Sequence, residues 1–321
     1  MGFGSALRYW RAARCGELLS EGFGRPFGAQ RLELSQLVRK ARLLCREDGP
    51  IDLVVPDAAA RRHRGPNLRA RVWGGPMPAD QLERLDVDIY VCKPALAYVQ
   101  MGALCDEVGL ALIAFELTGT YALRSWDDGS SVSLPAPLCD LAELRAFATA
   151  CAASGVRGAR RALSALDMVL PNSNSAAETA LGLQMRAKGL RGGFGFKGFH
   201  MNAEVKLQSE IAELQGCDAL HPDAYFPEKK TLIEYDSDDW HRFRLSAHAR
   251  DATRRDSFSF MGNTVYVLTK DQVKDPVYFQ RFMEALRGEV GGRAPVFRDA
   301  RYLELHRRLH IDRLDPLEPS R

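Results

Sequence analysis

Apolar positions along this chain alternate between helical and strand spacing, and the switches locate its elements. Leu and Val recur at helical spacing through Leu32 to Cys45, until Gly49-Pro50 ends the run. Ile51 to Val55 is a short, mainly apolar run of strand length, and Arg71-Val72-Trp73 follows before the turn Gly74-Gly75-Pro76. Asp88 to Cys92 reads as a strand. Lys93-Pro94 then opens a helix through Met101 and Leu104, and a further apolar helix runs to Leu117, closed by Gly119-Thr120-Tyr121. Leu141 to Ala152 and Arg157 to Leu170 predict two more helices separated by Gly155.

From Asn172 the local signals sharpen. Ser175-Ala176-Ala177-Glu178 has the spacing of a capping box and starts a helix to Lys188, with Gly189 as its stop. Gly192 to Gly198 is a glycine and aromatic loop without the phosphate-loop pattern, and predicts a flexible turn with aromatic tips. Phe199 to Leu207 follows as a strand, then a hairpin, a helix from Ser246 to Phe260 and a strand from Thr264 to Thr269. Asp275-Pro276 starts the next helix with an N-cap and a first-turn proline, and Arg301 to Leu309 predicts a final amphipathic helix.

The pattern divides the chain into a helical segment (1–50), a mixed α+β domain (51–170), an α/β domain (172–290) and a helical tail (291–321). The X-Pro step at Leu170-Pro171-Asn172 marks the main boundary. Composition is that of an ordinary globular chain, 46% apolar and 26% charged. The seven cysteines form no C-x-x-C pair and are odd in number, which argues against a zinc ribbon or a secreted disulfide framework and for a reduced, cytoplasmic setting. The longest apolar stretch, around Val108 to Phe115, is too short to span a bilayer, so no membrane association is expected.

Charge is uneven although the net is only +3. Residues 1–71 carry 14 Lys and Arg against 7 Asp and Glu, whereas residues 72–171 carry 7 against 12. Arg39-Lys40-Ala41-Arg42 and Arg61-Arg62-His63-Arg64 are runs able to contact phosphates; solvated surface charge is the plainer reading of each.

The candidate chemistry lies in His221-Pro222-Asp223 through Glu234-Tyr235-Asp236. If Pro227 to Lys230 form a four-residue loop, Phe226 pairs with Thr231 and Asp223 falls opposite Glu234. Alternation puts Asp236 on the face of Glu234. Three acids therefore converge, a repulsive arrangement that a hard divalent cation such as Mg²⁺ or Mn²⁺ would relieve through oxygen ligands. An exposed acidic hairpin face is the competing reading. Glu178 is open in the same way, between an N3 capping residue and a carboxylate of the site.

Pro222-Asp223, Glu234-Tyr235-Asp236, His241, Asp251 with Arg254 and Arg255, and Met261-Gly262 before Thr264 to Thr269 together resemble the PD-(D/E)XK nuclease superfamily, in its very-short-patch repair endonuclease branch, over roughly residues 172–287. The resemblance implies a restriction-endonuclease-like fold and Mg²⁺- or Mn²⁺-dependent hydrolysis of DNA. It implies Asp223, Glu234 and Asp236 at the metal, His241 in proton transfer, Glu178 in support, and Arg254 and Arg255 against phosphate. The superfamily motif ends in Lys where this chain has Asp236, so the usual charge partner of the attacking water is missing.

Val54 through Tyr121, with the Lys93-Pro94 helix start and Glu116-Leu117-Thr118-Gly119-Thr120-Tyr121, is similar to the C-terminal part of abortive-infection antitoxins. That likeness implies a regulatory half with a toxin or defence-system protein as partner, and an alternative function as a non-catalytic regulator with a degenerate nuclease domain.

Overall fold

The structure is a computed structural model that describes residues 1–16, 33–46, 49–61, 66–86, 88–124, 131–236, 245–292, 299–310 and 315–317, without the side chains of 245–252 and 299. It is mixed α/β and divides between Val169 and Leu170 into two compact units, Met1–Val169 with Asp315–Arg321, and Leu170–Leu314. Residues 1–50 contribute helices to the first unit alongside the 51–169 elements. Most of the 291–321 tail lies in the second, and its end returns to the first. Among the described residues, no helix is long and apolar enough to cross a membrane.

The first unit opens with helices α1 (Phe3–Arg14) and α2 (Leu34–Cys45). Strands β1 (Ile51–Val55) and β2 (Leu68–Val72) pair in parallel. Two antiparallel pairs follow, β3 (Leu82–Asp86) with β4 (Ile89–Cys92), and β5 (Tyr121–Leu123) with β6 (Ser131–Ser133). Helices α3 (Pro94–Met101) and α4 (Glu107–Thr118) lie between those pairs, and α5 (Leu141–Ala153) and α6 (Ala159–Ala165) close the unit.

Helix α4 is buried from Gly109 to Thr118, all round, as the apolar run Leu110 to Phe115 requires, with Glu116 compensated by Arg11. Tyr98 of α3 is fully buried and satisfies its hydroxyl by donating to the Ala162 carbonyl at 2.8 Å. Gly158, at φ +86°, lets the start of α6 meet Gly102 backbone to backbone; a Cβ there would fall 2.3 Å from the Gly102 carbonyl carbon.

In the second unit, α7 (Ala176–Arg186) is capped by Ser175, whose Oγ accepts from the Glu178 amide. Strands β7 (His200–Met201) and β8 (Val205–Lys206) replace the single strand expected over Phe199 to Leu207. Asn202 breaks it with φ +47°. After α8 (Ser209–Gln215) and β9 (Ala219–Leu220), the hairpin strands β10 (Ala224–Phe226) and β11 (Thr231–Asp236) lead through α9 (Leu245–Phe260) to β12 (Thr264–Thr269). Helices α10 (Lys270–Lys274), α11 (Pro276–Val290) and α12 (Asp299–Leu309) complete the unit.

The main sheet has the order β12-β11-β10-β7. Its β7–β10 and β10–β11 pairs are antiparallel, and β11–β12 is parallel, with α9 as the crossover a parallel pair needs. On one face Ile233, Ala224 and Leu268 pack against Leu181, Phe279 and Tyr302; on the other, Leu232 packs on Phe258 of α9.

The glycine and aromatic loop is part of this core and not a flexible turn. Phe194, Phe196 and Phe199 are each no more than 2% exposed. Phe194 stands edge-on to Phe279 and Tyr302, and the Arg287 guanidinium lies 4.3 Å from the Phe196 ring centre. Tyr302 anchors α12 by donating to the Pro276 carbonyl at 2.6 Å.

Candidate functional site

The hairpin register is the one the loop length dictates. Pro227 to Lys229 make a 3-10 turn, Lys230 takes the left-handed conformation, and Phe226 faces Thr231, Tyr225 Leu232 and Ala224 Ile233. One step further sets Asp223 opposite Glu234. Its Oδ2 accepts a 2.6 Å hydrogen bond from the Tyr235 amide across the hairpin.

Strand alternation explains what meets these acids. Leu232 faces α9 and touches Phe258, so Glu234 and Asp236 project from the same side of the sheet. Two residues along a strand advance about as far as one helical turn, roughly 6 Å. Arg254, one turn before Phe258, therefore arrives at Glu234: its guanidinium lies 3.2 Å from Oε1, and the same nitrogen donates to the His221 carbonyl.

Glu178 comes to the cluster from the N-terminus of α7, and both of its readings hold. It sits at N3 and closes half a capping box, but its carboxylate reaches past Ser175. Oε2 accepts from the Asn174 amide at 2.8 Å and the Asn202 side chain at 2.6 Å, and Oε1 accepts from Ser175 Oγ at 3.0 Å. Asn202 was not anticipated. Its amide nitrogen also donates to the Asn172 carbonyl at 2.8 Å, and its own carbonyl meets His221 Nδ1 at 3.2 Å.

Burial raises the Asp223 carboxyl well above the usual carboxylate range, with the charges of Glu178 and Glu234 adding to the effect and the Tyr235 hydrogen bond and Arg254 opposing it. Glu178 is also raised, first by burial, against its hydrogen bonds to Asn174, Asn202 and Ser175. Asp223, Glu178 and Glu234 thus form one electrostatic cluster with Arg254.

The expected ligand set is narrower in the fold. Among the described residues, no group of three or more His, Cys, Asp or Glu side chains is arranged to hold a metal ion. Asp223, Glu234 and Asp236 therefore do not assemble as a three-acid set: Asp223 is directed across the hairpin to the Tyr235 amide, and Asp236 lies a further two residues along β11. Mg²⁺ is commonly held by one or two carboxylates, with water filling the other positions, and an acid beside two like charges is stabilised by added positive charge.

His241 and the side chain of Asp251 lie outside the described residues. Arg255 is exposed on α9, whereas Arg254 is half-buried and engaged with Glu234. Among the described residues, part of the basic excess of the N-terminal third is structural. Arg11 pairs with Glu116, Lys40 with Asp86 and Arg71 with Asp52, and Arg14 donates to four backbone carbonyls. Residues 62–64 of the second basic run are outside the described residues. No family model, no curated protein and no solved structure matches the chain.

Proposed function

We propose that the second unit is a restriction-endonuclease-like module that hydrolyses phosphodiester bonds in DNA with Mg²⁺ or Mn²⁺. The observation that carries this reading is the cluster of Asp223, Glu234 and Glu178 at the open end of the hairpin, beside Arg254. The main sheet supports it: helix α7 precedes strands β7, β10 and β11, each antiparallel to its neighbour, with β8, α8 and β9 inserted between the first two, and crossover helix α9 leads to β12, parallel to β11.

In this reading Asp223 and Glu234 hold the cation, which when bound polarises the phosphate and lowers the pKa of water. Glu178 and Asn202 fix the position of Asp223, Asp236 orients water from the same sheet face, and His241 moves a proton. Arg254 balances the acid cluster, and the exposed Arg255 approaches phosphate. The setting is the cytoplasm.

A second reading has its own observation. Asp236 stands where the superfamily motif has Lys, and Glu234 is already paired with Arg254. Both fit a nuclease fold turned regulator, with the first unit acting on a toxin or defence-system protein.

Incubation of supercoiled plasmid with the purified chain separates the two. The nuclease reading expects nicking with Mg²⁺ or Mn²⁺ and none in chelator. It expects Glu234→Gln to abolish cutting while DNA affinity is kept, and His241→Ala to slow cutting by about 10² to 10⁴. Tight DNA binding with no cutting of duplex, mismatched or single-stranded DNA under any divalent metal leaves the regulator.

A further inference from the structure

One face of α1 carries Arg8, Arg11 and Arg14 at intervals of three, so all three guanidiniums lie along the same side of the helix. The neighbouring helix α4 answers them with one carboxylate, Glu116, held by Arg11 through two hydrogen bonds of 2.8 and 2.6 Å. The chain's own C-terminal segment lies against this α1–α4 groove and brings a second carboxylate to Arg11.

Asp315 places both carboxylate oxygens on Arg11 Nη1, at 3.0 and 2.9 Å, in a setting where the Arg11 side chain is 5% exposed. Arg8 donates to the Leu317 carbonyl at 3.1 Å, and Leu317 borders a small cavity together with Leu7, Trp10, Ile113 and Leu117. The Leu317 amide donates to Asp315 Oδ1 at 2.9 Å, which fixes the turn that presents acid and leucine together.

We propose that the α1–α4 groove is a peptide-binding site for an Asp-X-Leu segment, occupied in the resting protein by Asp315-Pro316-Leu317. Recognition is three-point: carboxylate to Arg11, main-chain carbonyl to Arg8, leucine to the apolar lining. All of it falls within three consecutive residues, so the segment is a ligand whose affinity for the groove is raised by covalent attachment. Pro316 lowers the ordering cost, because its φ is already set. This site is independent of the acid cluster in the second unit.

The test is fluorescence anisotropy with a labelled peptide of sequence Ile-Asp-Arg-Leu-Asp-Pro-Leu-Glu-Pro-Ser-Arg, the last eleven residues of the chain. The full-length Asp315→Ala/Leu317→Ala protein, its groove vacated, is expected to bind the peptide at least about tenfold tighter than wild type, whose own segment competes. A peptide with Asn in place of the second Asp should lose at least about tenfold, as should the Arg8→Ala form of the vacated protein. If the double variant has lost its cooperative melt, the comparison is made on Leu317→Ala alone, a half-buried position that leaves Arg11 paired. Equal binding to wild type and vacated protein, no binding to either, or binding indifferent to the Asn peptide overturns the proposal.

Discussion

At Asp223 the fold places a half-buried carboxyl group opposite Glu234 and within the field of Glu178, and gives it a backbone amide in return. Such a site opposes the folded state unless a cation or a proton arrives. Asp223→Asn keeps an oxygen for the Tyr235 amide while removing the like charge. It is expected to raise the urea midpoint of the metal-free protein at pH 7; a lower midpoint would show the acid to be structural.

Asn202 holds the other side of the cluster, with two short hydrogen bonds and a left-handed backbone. Asn202→Ala should cost about 1–3 kcal/mol, read by the same denaturation, because Glu178 loses a buried donor. The Asp223–Glu234 pairing was legible in the sequence because a four-residue loop fixes hairpin register. Asn202 was not, because its place depends on contacts to α7 that no local pattern encodes. The Arg254–Glu234 pair was hidden for the same reason: it follows from how α9 crosses the sheet.

Among elements, α12 is attached through two histidines whose protonation depends on pH. His306 meets the Lys274 carbonyl through Nε2 at 3.2 Å, His310 meets Gln184 Oε1 of α7 at 2.7 Å, and the two rings are 4.5 Å apart. Burial lowers both, His310 to about 3, with the neighbouring His306 and Lys274 adding to the shift. Both are neutral in folded and unfolded chains well above pH 6.5, so they cost nothing there. As pH falls from about 6.5 towards 3, the unfolded chain protonates at position 310 before the folded one and stability drops, by up to about 1.4 kcal/mol per pH unit for His310, with His306 acting in the same direction. Asp223 and Glu178, being raised, act in the opposite direction over the acid range. The difference between wild type and His310→Phe therefore isolates the histidine: the variant should lose less stability between pH 7 and 5, and equal slopes would contradict the assignment.

The long helices and strands β1 and β12 could be read from periodicity and capping, since each is a continuous local pattern. The short antiparallel strands β3, β5, β6 and β9 could not, having two to five residues each. The aromatic loop misled because glycine spacing signals turns, while the burial of Phe194, Phe196 and Phe199 is decided by α11 and α12 far along the chain. Phe194→Ala should lower stability by about 3–5 kcal/mol, as a buried aromatic of this packing would; a cost under about 1 kcal/mol would return the loop to the surface.

At the scale of the whole molecule, the first unit pairs Arg11 with Glu116, Lys40 with Asp86 and Arg71 with Asp52, and the second brings Asp223, Glu178 and Glu234 into one electrostatic cluster with Arg254. The central claim is that Asp223 and Glu234 exist to hold a divalent cation. Calorimetric titration of Mg²⁺ and Mn²⁺ into the full-length protein tests it without any substrate. Wild type is predicted to show one saturable site, lost in Asp223→Asn and in Glu234→Gln while both variants keep their cooperative melts. No saturable heat in wild type, or a site that survives both substitutions, would contradict it.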